Sequence, residues 1–220
     1  MSAFSVMPPE AILFDCDGVL VDSEPVADRV LVANFARYGL VLDETQVHAL
    51  FAGGTMKGAG QEAVQRGATL PANWLDEIYE ELFAELARYT PPIAGVGDLL
   101  DRLDVAGIPY AIGSNGPFRK MDITLGQNSL LERFQGRLIS AHVIGRAKPD
   151  PGVYLEAARI LGVDPARTVV IDDSPSGVKA GVAAGARVLG FAPRSDPDRL
   201  AALGAEVFFK MSQVPDLIGI

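Results

Sequence analysis

Four short polar clusters carry residue types that together could move a phosphoryl group. Asp15-Cys16-Asp17-Gly18 follows the apolar run Ala11–Phe14, and Ser114-Asn115-Gly116 follows Tyr110–Gly113. Lys148-Pro149-Asp150-Pro151 comes after Leu138–Ser140, and Asp172-Asp173-Ser174 follows Thr168–Ile171. If the four meet in space, Asp15, Asp17, Asp172 and Asp173 crowd like charges together, which is unfavourable unless a cation joins them. All-oxygen ligands suit a hard divalent ion, Mg²⁺ before Zn²⁺. Lys148 adds one fixed positive charge, and Ser114 and Asn115 add neutral donors. Such a set can stabilise a transferring phosphoryl group. One carboxylate can act as the nucleophile and form an aspartyl-phosphate. A second can protonate the leaving group and then activate water.

The clusters meet only if the apolar runs are neighbouring strands. Ala11–Phe14, Tyr110–Gly113, Thr168–Ile171 and Val188–Phe191 read as buried strands, with Leu138–Ser140 and Val207–Phe209 weaker. Helical patterns lie between them. Val96, Leu99, Leu100 and Leu103 share one helix face with Gly107 as the stop, and Pro151–Leu161 ends at Gly162. From about residue 92 onward, strand and helix alternate. That pattern predicts an α/β fold: a Rossmann-like parallel sheet with helices on both faces. All four clusters then fall on the carboxyl edge, where open α/β sheets bind ligands.

Residues 24–90 break the alternation and contain no convincing strand. Pro25–Tyr38 is helical and closes at Gly39, Asp43 with Gln46 resembles a capping box, and Leu75, Ile78, Tyr79, Leu82 and Leu86 form a helical stripe. The expected organisation is therefore an α/β core of residues 1–23 and 91–220, with an inserted all-helical cap of residues 24–90. The cap leaves and re-enters the core beside the first cluster, where it could close over the strand ends.

With these residues in place, the segment from Asp15 to Ser23 resembles the first motif of the haloacid dehalogenase superfamily. Ser114, Lys148-Pro149 and Asp172-Asp173-Ser174 match its second, third and fourth motifs, in order. The resemblance runs from about residue 10 to 193. The helical insert is similar to the small cap of the branch that includes β-phosphoglucomutase and sugar-phosphate phosphatases. Ser114-Asn115-Gly116-Pro117 with Lys120-Met121 resembles bacterial 6-phosphogluconate phosphatases. The resemblance implies that Asp15 attacks phosphorus and ligates Mg²⁺, and that Asp17 is the general acid/base with its main-chain oxygen on the metal. It implies further that Ser114, with Asn115 beside it, holds the phosphoryl group and that Lys148 offsets negative charge. Asp173 then ligates Mg²⁺, and Asp172 does so directly or through water. Gly18 permits the sharp turn after the strand.

Other residues are read more plainly. Cys16 alternates away from the site as a small buried side chain. His48 and His142 are isolated, and Gly177, Gly181 and Gly185 suit close helix packing. Lys57, in the loop-like glycine-rich stretch Ala52–Gly60, is the candidate for contact with the substrate's far end, against the alternative of a solvated surface lysine. Arg119 and Arg146 could line the entrance.

Composition excludes several classes. The chain has 220 residues, 49% hydrophobic and 21% charged, so it can build a core. Its 19 Lys plus Arg against 28 Asp plus Glu give a net charge of −9, a poor match for nucleic acid. The longest uncharged stretch, Val105–Phe118, has 14 residues, short of a bilayer span. One cysteine and no visible secretory signal fit a cytoplasmic protein. The expected activity is a Mg²⁺-dependent phosphatase acting on a small phosphorylated metabolite, a sugar or sugar-acid phosphate, as a monomer or dimer. A phosphomutase uses the same residues. A dehalogenase would not need Asp17. An aspartate-phosphorylated signalling module uses similar groups, but places the phosphorylated aspartate after the acidic pair.

Overall fold

A computed structural model of the chain describes residues 7–51 and 53–220; the first six residues and Ala52, the head of the glycine-rich stretch, lie outside the described residues. The core is a six-stranded sheet: β1 (Ala11–Phe14), β2 (Tyr110–Ser114), β3 (Leu138–Ser140), β4 (Thr168–Asp172), β5 (Arg187–Phe191) and β6 (Glu206–Phe208). The order is β3-β2-β1-β4-β5-β6 and every pairing is parallel. In register, Phe14 lies opposite Ile112 on one side and Ile171 on the other. The chain winds outward from β1 in both directions, which opens a crevice at the carboxyl ends.

The strands read as continuous apolar runs because both faces are covered. Ile12, Phe14, Ile112 and Ile171 join one core with α5 (Val96–Ala106), α6 (Phe118–Gly126) and α11 (Val214–Ile218). Leu13, Ala111, Val170 and Val188 join the other with α8 (Gly152–Leu161), α9 (Pro175–Ala183) and α10 (Pro197–Ala202). α7 (Ala141–Ile144) is a single turn after β3. Gly107 and Gly162 end α5 and α8 in the left-handed conformation, as their positions predict. At Gly181 a Cβ would stand 2.8 Å from Val188, so this glycine serves helix–sheet packing.

Between β1 and α5 lie four helices: α1 (Glu24–Arg37), α2 (Glu44–Phe51), α3 (Met56–Gln65) and α4 (Trp74–Arg88). They bury their own apolar cluster around Phe35, Val47, Ala63, Trp74 and Ile78. Phe35 stacks on Trp74 at 5.7 Å, and the Trp74 indole donates to Asn34 at 2.7 Å. Asp43 and Gln46 exchange the expected reciprocal bonds at 2.8 and 3.0 Å. The block joins the sheet through a narrow neck. Asp22 N–H donates to Pro91 O at 2.9 Å, and Ile93 N–H to Leu20 O at 3.0 Å.

One local expectation is corrected. From Gly53 on, the glycine-rich stretch is a loop only to Thr55, whose side chain caps α3 by accepting from Gly58 N–H at 3.1 Å. Gly58 and Gly60 are helical. A Cβ at Gly60 would stand 2.4 Å from the Trp74 ring, so that glycine lets α3 pack against α4.

Candidate active site

Each strand end delivers its side chain where the parallel sheet requires. Asp15 follows β1, with its N–H bonded to Ile171 O at 2.9 Å. Ser114 and Asp172 are the last residues of β2 and β4, one residue beyond the expected runs. Lys148 Nζ donates to Asp15 Oδ1 at 2.6 Å and to Asp172 Oδ2 at 2.8 Å. Asp15, Asp172 and Asp173 offer carboxylate oxygens within 4.8 Å of one another, all buried. Asp15, Asp17, Ser114, Asn115, Lys148 and Asp173 line one cavity of about 120 Å³.

Asp172 differs from its neighbours. Its Oδ2 also accepts from the Tyr154 hydroxyl at 2.5 Å, and its Oδ1 accepts from Ser174 N–H at 2.9 Å and Ser174 Oγ at 2.8 Å. Four donors occupy a carboxylate with about four acceptor positions. A Cβ at Gly177 would stand 1.7 Å from it, so glycine there makes room for the carboxylate. Asp172 is thereby the post to which Lys148, Tyr154 and the α9 cap are tied.

Burial dominates the electrostatics. It pushes Asp15 up to about 7, Lys148 opposes it, and Asp172 and Asp17 add to it. Asp173 is driven well above the carboxylate range by burial, Glu24, Asp172 and Asp15. Lys148 stays above its ordinary value because Asp15 and Asp172 outweigh burial. One lysine among three buried carboxylates leaves excess negative charge. A divalent cation with oxygen preference fits this donor set. Gly18, at φ 75°, makes room for the Asp173 carboxylate: a Cβ there would stand 2.2 Å from Asp173 Oδ2.

Asp17 is arranged differently. Lys120 Nζ lies 2.7 Å from its Oδ1, and Ser23 Oγ donates to the same oxygen at 2.5 Å. Burial raises Asp17, but the charge and hydrogen bond of Lys120 with the Ser23 bond outweigh it and hold the group below its ordinary value. Asp15 and Asp17, two residues apart, are thus shifted in opposite directions. Cys16 between them is buried, and burial with both aspartates pushes its thiol up, so it holds no thiolate.

Ser114 Oγ accepts from Gly116 N–H at 2.9 Å, and Asn115 Oδ1 accepts from Lys148 N–H at 2.8 Å. Asn115 Nδ2 also reaches Gly53 O, at 3.4 Å, and Ser176 Oγ donates to the same carbonyl at 2.5 Å. The helical block therefore rests directly on the loop after β2 and on the first turn of α9. Tyr79 meets His142 at 3.2 Å, and Arg119 pairs with Glu80 while lying 4.7 Å over the Phe83 ring. Lys57 is not brought to the cavity. It is exposed on the outer side of α3 and borders a separate groove with Gln61 and Trp74, because the turn from Thr55 onward is helical. Gly53, Gly54, Thr55 and Met56 face the cavity instead. Arg146 is exposed and stands 3.8 Å from Asp150.

Sequence reasoning gave no role to Lys120, Ser23 or Tyr154. The first two lie inside quoted motifs, and Tyr154 lies in the first helical turns after Lys148-Pro149. Position was the available signal, and the pairings themselves are tertiary.

The fold and this edge define a hydrolase of the α/β class. The family model for haloacid dehalogenase-like hydrolases matches residues 9–185, and the chain belongs to that family. It is 34% identical over 215 residues to 6-phosphogluconate phosphatase of Escherichia coli strain K12, covering 94% of each chain. It is 31% identical over 197 residues to hexitol phosphatase A of the same organism, covering 87% of each. A conserved haloacid dehalogenase-like protein of Agrobacterium tumefaciens superposes with TM-score 0.84 at 35% identity, covering 95% of this chain and 97% of that one. Among the described residues, no helix is long and apolar enough to cross a membrane.

Proposed function

We propose that this phosphoric monoester hydrolase is a Mg²⁺-dependent phosphatase of small phosphorylated metabolites, sugar or sugar-acid phosphates, working through an aspartyl-phosphate on Asp15. The observation that carries the reading is the convergence of Asp15, Asp17, Ser114, Lys148 and Asp173 on one cavity, with Lys148 Nζ 2.6 Å from Asp15 Oδ1 and Lys120 Nζ 2.7 Å from Asp17 Oδ1. A cation beside Asp15 would oppose the rise that burial causes and hold that carboxylate ionised, as a nucleophile requires. The family membership and the phosphatase relatives support the class.

Mg²⁺ held by Asp15, Asp173 and the main-chain oxygen of Asp17 would neutralise the phosphoryl oxygens and the carboxylates. Asp172, with its oxygens already occupied, acts by placing Lys148. Ser114 and Asn115 orient the phosphoryl group. Asp15 Oδ bonds to phosphorus as the phosphorus–ester oxygen bond breaks, and Asp17 gives its proton to the departing oxygen, which leaves as an alcohol. A dianionic substrate beside Asp17 competes for Lys120 and raises the carboxylate's affinity for that proton. Asp17 then takes a proton from water, whose oxygen bonds to phosphorus and releases inorganic phosphate and the Asp15 carboxylate. The helical block of residues 24–90 serves as the cap that excludes bulk water.

Multiple-turnover release of phosphate from p-nitrophenyl phosphate with Mg²⁺ tests this reading. A burst of one equivalent would favour the signalling module. Sugar monophosphate isomerisation without phosphate release would favour the mutase.

A further inference from the structure

Beyond the phosphoryl machinery, the cavity is walled by the helical block. Leu31, Phe51, Met56 and Leu82 are apolar, and the charged groups are Glu24 and Asp28 of α1. The cations on the lining, Lys120 and Lys148, are each held by catalytic carboxylates. Arg119 is taken by Glu80, and Lys57 faces another groove. A carboxylate at the far end of a substrate would therefore find two like charges and no free cation among the described residues.

The same two side chains are short of donors. Among the described residues, Asp28 accepts from His48 alone, at 3.1 Å through Oδ2, and no donor reaches Glu24. His48 bonds Asp28 without itself lining the cavity. Half-buried carboxylates lose water when a substrate fills the space, and the loss is offset only if the substrate supplies O–H or N–H donors. Sugar and polyol hydroxyls are such donors, and the apolar wall suits the carbon skeleton that carries them.

Resting on the phosphatase reading above, we infer that the leaving group is an uncharged polyhydroxylated chain or ring whose hydroxyls donate to Asp28 and Glu24, and that phosphomonoesters ending in a carboxylate are disfavoured. Asp28 is the specificity-determining residue, because Glu24 also adjoins Asp173 and shares in its electrostatics. The inference narrows the choice left open by sequence, sugar against sugar-acid phosphate, toward the former.

The test uses three compounds matched in carbon number and phosphate position: sorbitol 6-phosphate, glucose 6-phosphate and 6-phosphogluconate. They differ at C1, which is an alcohol, an aldehyde level carbon or a carboxylate. With the full chain and Mg²⁺, kcat/KM for sorbitol 6-phosphate should exceed that for 6-phosphogluconate by roughly tenfold or more, about 1.4 kcal/mol. In Asp28→Asn, which keeps the size and removes the charge, that ratio should shrink severalfold. The ratio within one variant is insensitive to the fraction folded. Equal or greater kcat/KM for 6-phosphogluconate in the wild type would overturn the inference. So would hydrolysis of p-nitrophenyl phosphate with none of the three sugar compounds, and both results would leave the phosphatase reading standing. An unchanged ratio in Asp28→Asn would remove Asp28 from the role. Failure on every phosphomonoester would overturn the phosphatase reading and this inference with it.

Discussion

Lys120 reaches from the first turn of α6 to Asp17, Nζ to Oδ1 at 2.7 Å, and with Ser23 holds that carboxyl below its ordinary value. Lys120→Met should lower kcat for a sugar phosphate by at least tenfold, about 1.4 kcal/mol. The limb of the pH–rate profile that reports the Asp17 proton should move to higher pH, because Asp17 loses the charge and hydrogen bond that hold it below its ordinary value. A profile superimposable on the wild type would show that the pair is structural only.

Asp15→Asn should reduce turnover by at least a hundredfold, about 2.7 kcal/mol, because an amide is a poor nucleophile. Stability should move the other way. Asp15 sits at about 7 against an ordinary 3.8. A carboxyl raised on folding contributes stability that is present below the unfolded value and lost as pH rises through the folded one. In the metal-free protein, the variant should therefore melt no lower than the wild type in mildly alkaline buffer. Its advantage should fade as pH falls from about 7 toward 3.8. Differential scanning across that window decides it.

Tyr154→Phe keeps the ring under Lys148, whose Nζ lies 4.7 Å from the ring centroid, and removes one of the four donors to buried Asp172. The expected loss of stability is about 1–3 kcal/mol by denaturant titration. We expect kcat to fall severalfold as Lys148 loosens, with KM nearly unchanged. A fall in KM affinity alone would place Tyr154 on the substrate side.

Chelation of divalent ions should abolish turnover, and added Mg²⁺ should restore it. Mg²⁺ should also raise Tm in a concentration-dependent manner, since an ion bound to the folded state alone stabilises it. Asp173→Asn should lose most of that Tm response, a readout independent of activity.

Gly53→Ala tests whether the helical block must seat on the core. Gly53 has φ 69°, and a Cβ there would stand 2.3 Å from the Ser174 side chain. The variant should fold, because the loop is at the surface of the block, yet kcat/KM for a sugar phosphate should drop roughly tenfold or more. Full activity would mean that the contact of Gly53 O with Ser176 is dispensable.

Much of this site is legible in the sequence because the chemistry sits at the ends of buried parallel strands. Ala11–Phe14 and Thr168–Ile171 are continuous apolar runs, and the aspartates that follow them must lie on one edge. The helix ends at Gly107 and Gly162 are equally legible, since a left-handed stop is local. What escapes is tertiary. The Lys120–Asp17 and Tyr154–Asp172 pairs join different elements, and no periodicity links them. Lys57 is misplaced for a local reason: glycines suggest a loop, whereas the Thr55 cap and the Trp74 ring beside Gly60 make the segment helical and turn Lys57 outward.

The backbone bonds that tie Leu20 and Asp22 to Ile93 and Pro91 make the helical block a loop whose two ends are already joined. Sheet register therefore does not depend on what is threaded between Ser23 and Thr90, and the entropic cost of a longer thread grows only slowly with its length. On the proposed function, exchange of that thread should change which alcohol is accepted and leave the strand-end carboxylates where they stand.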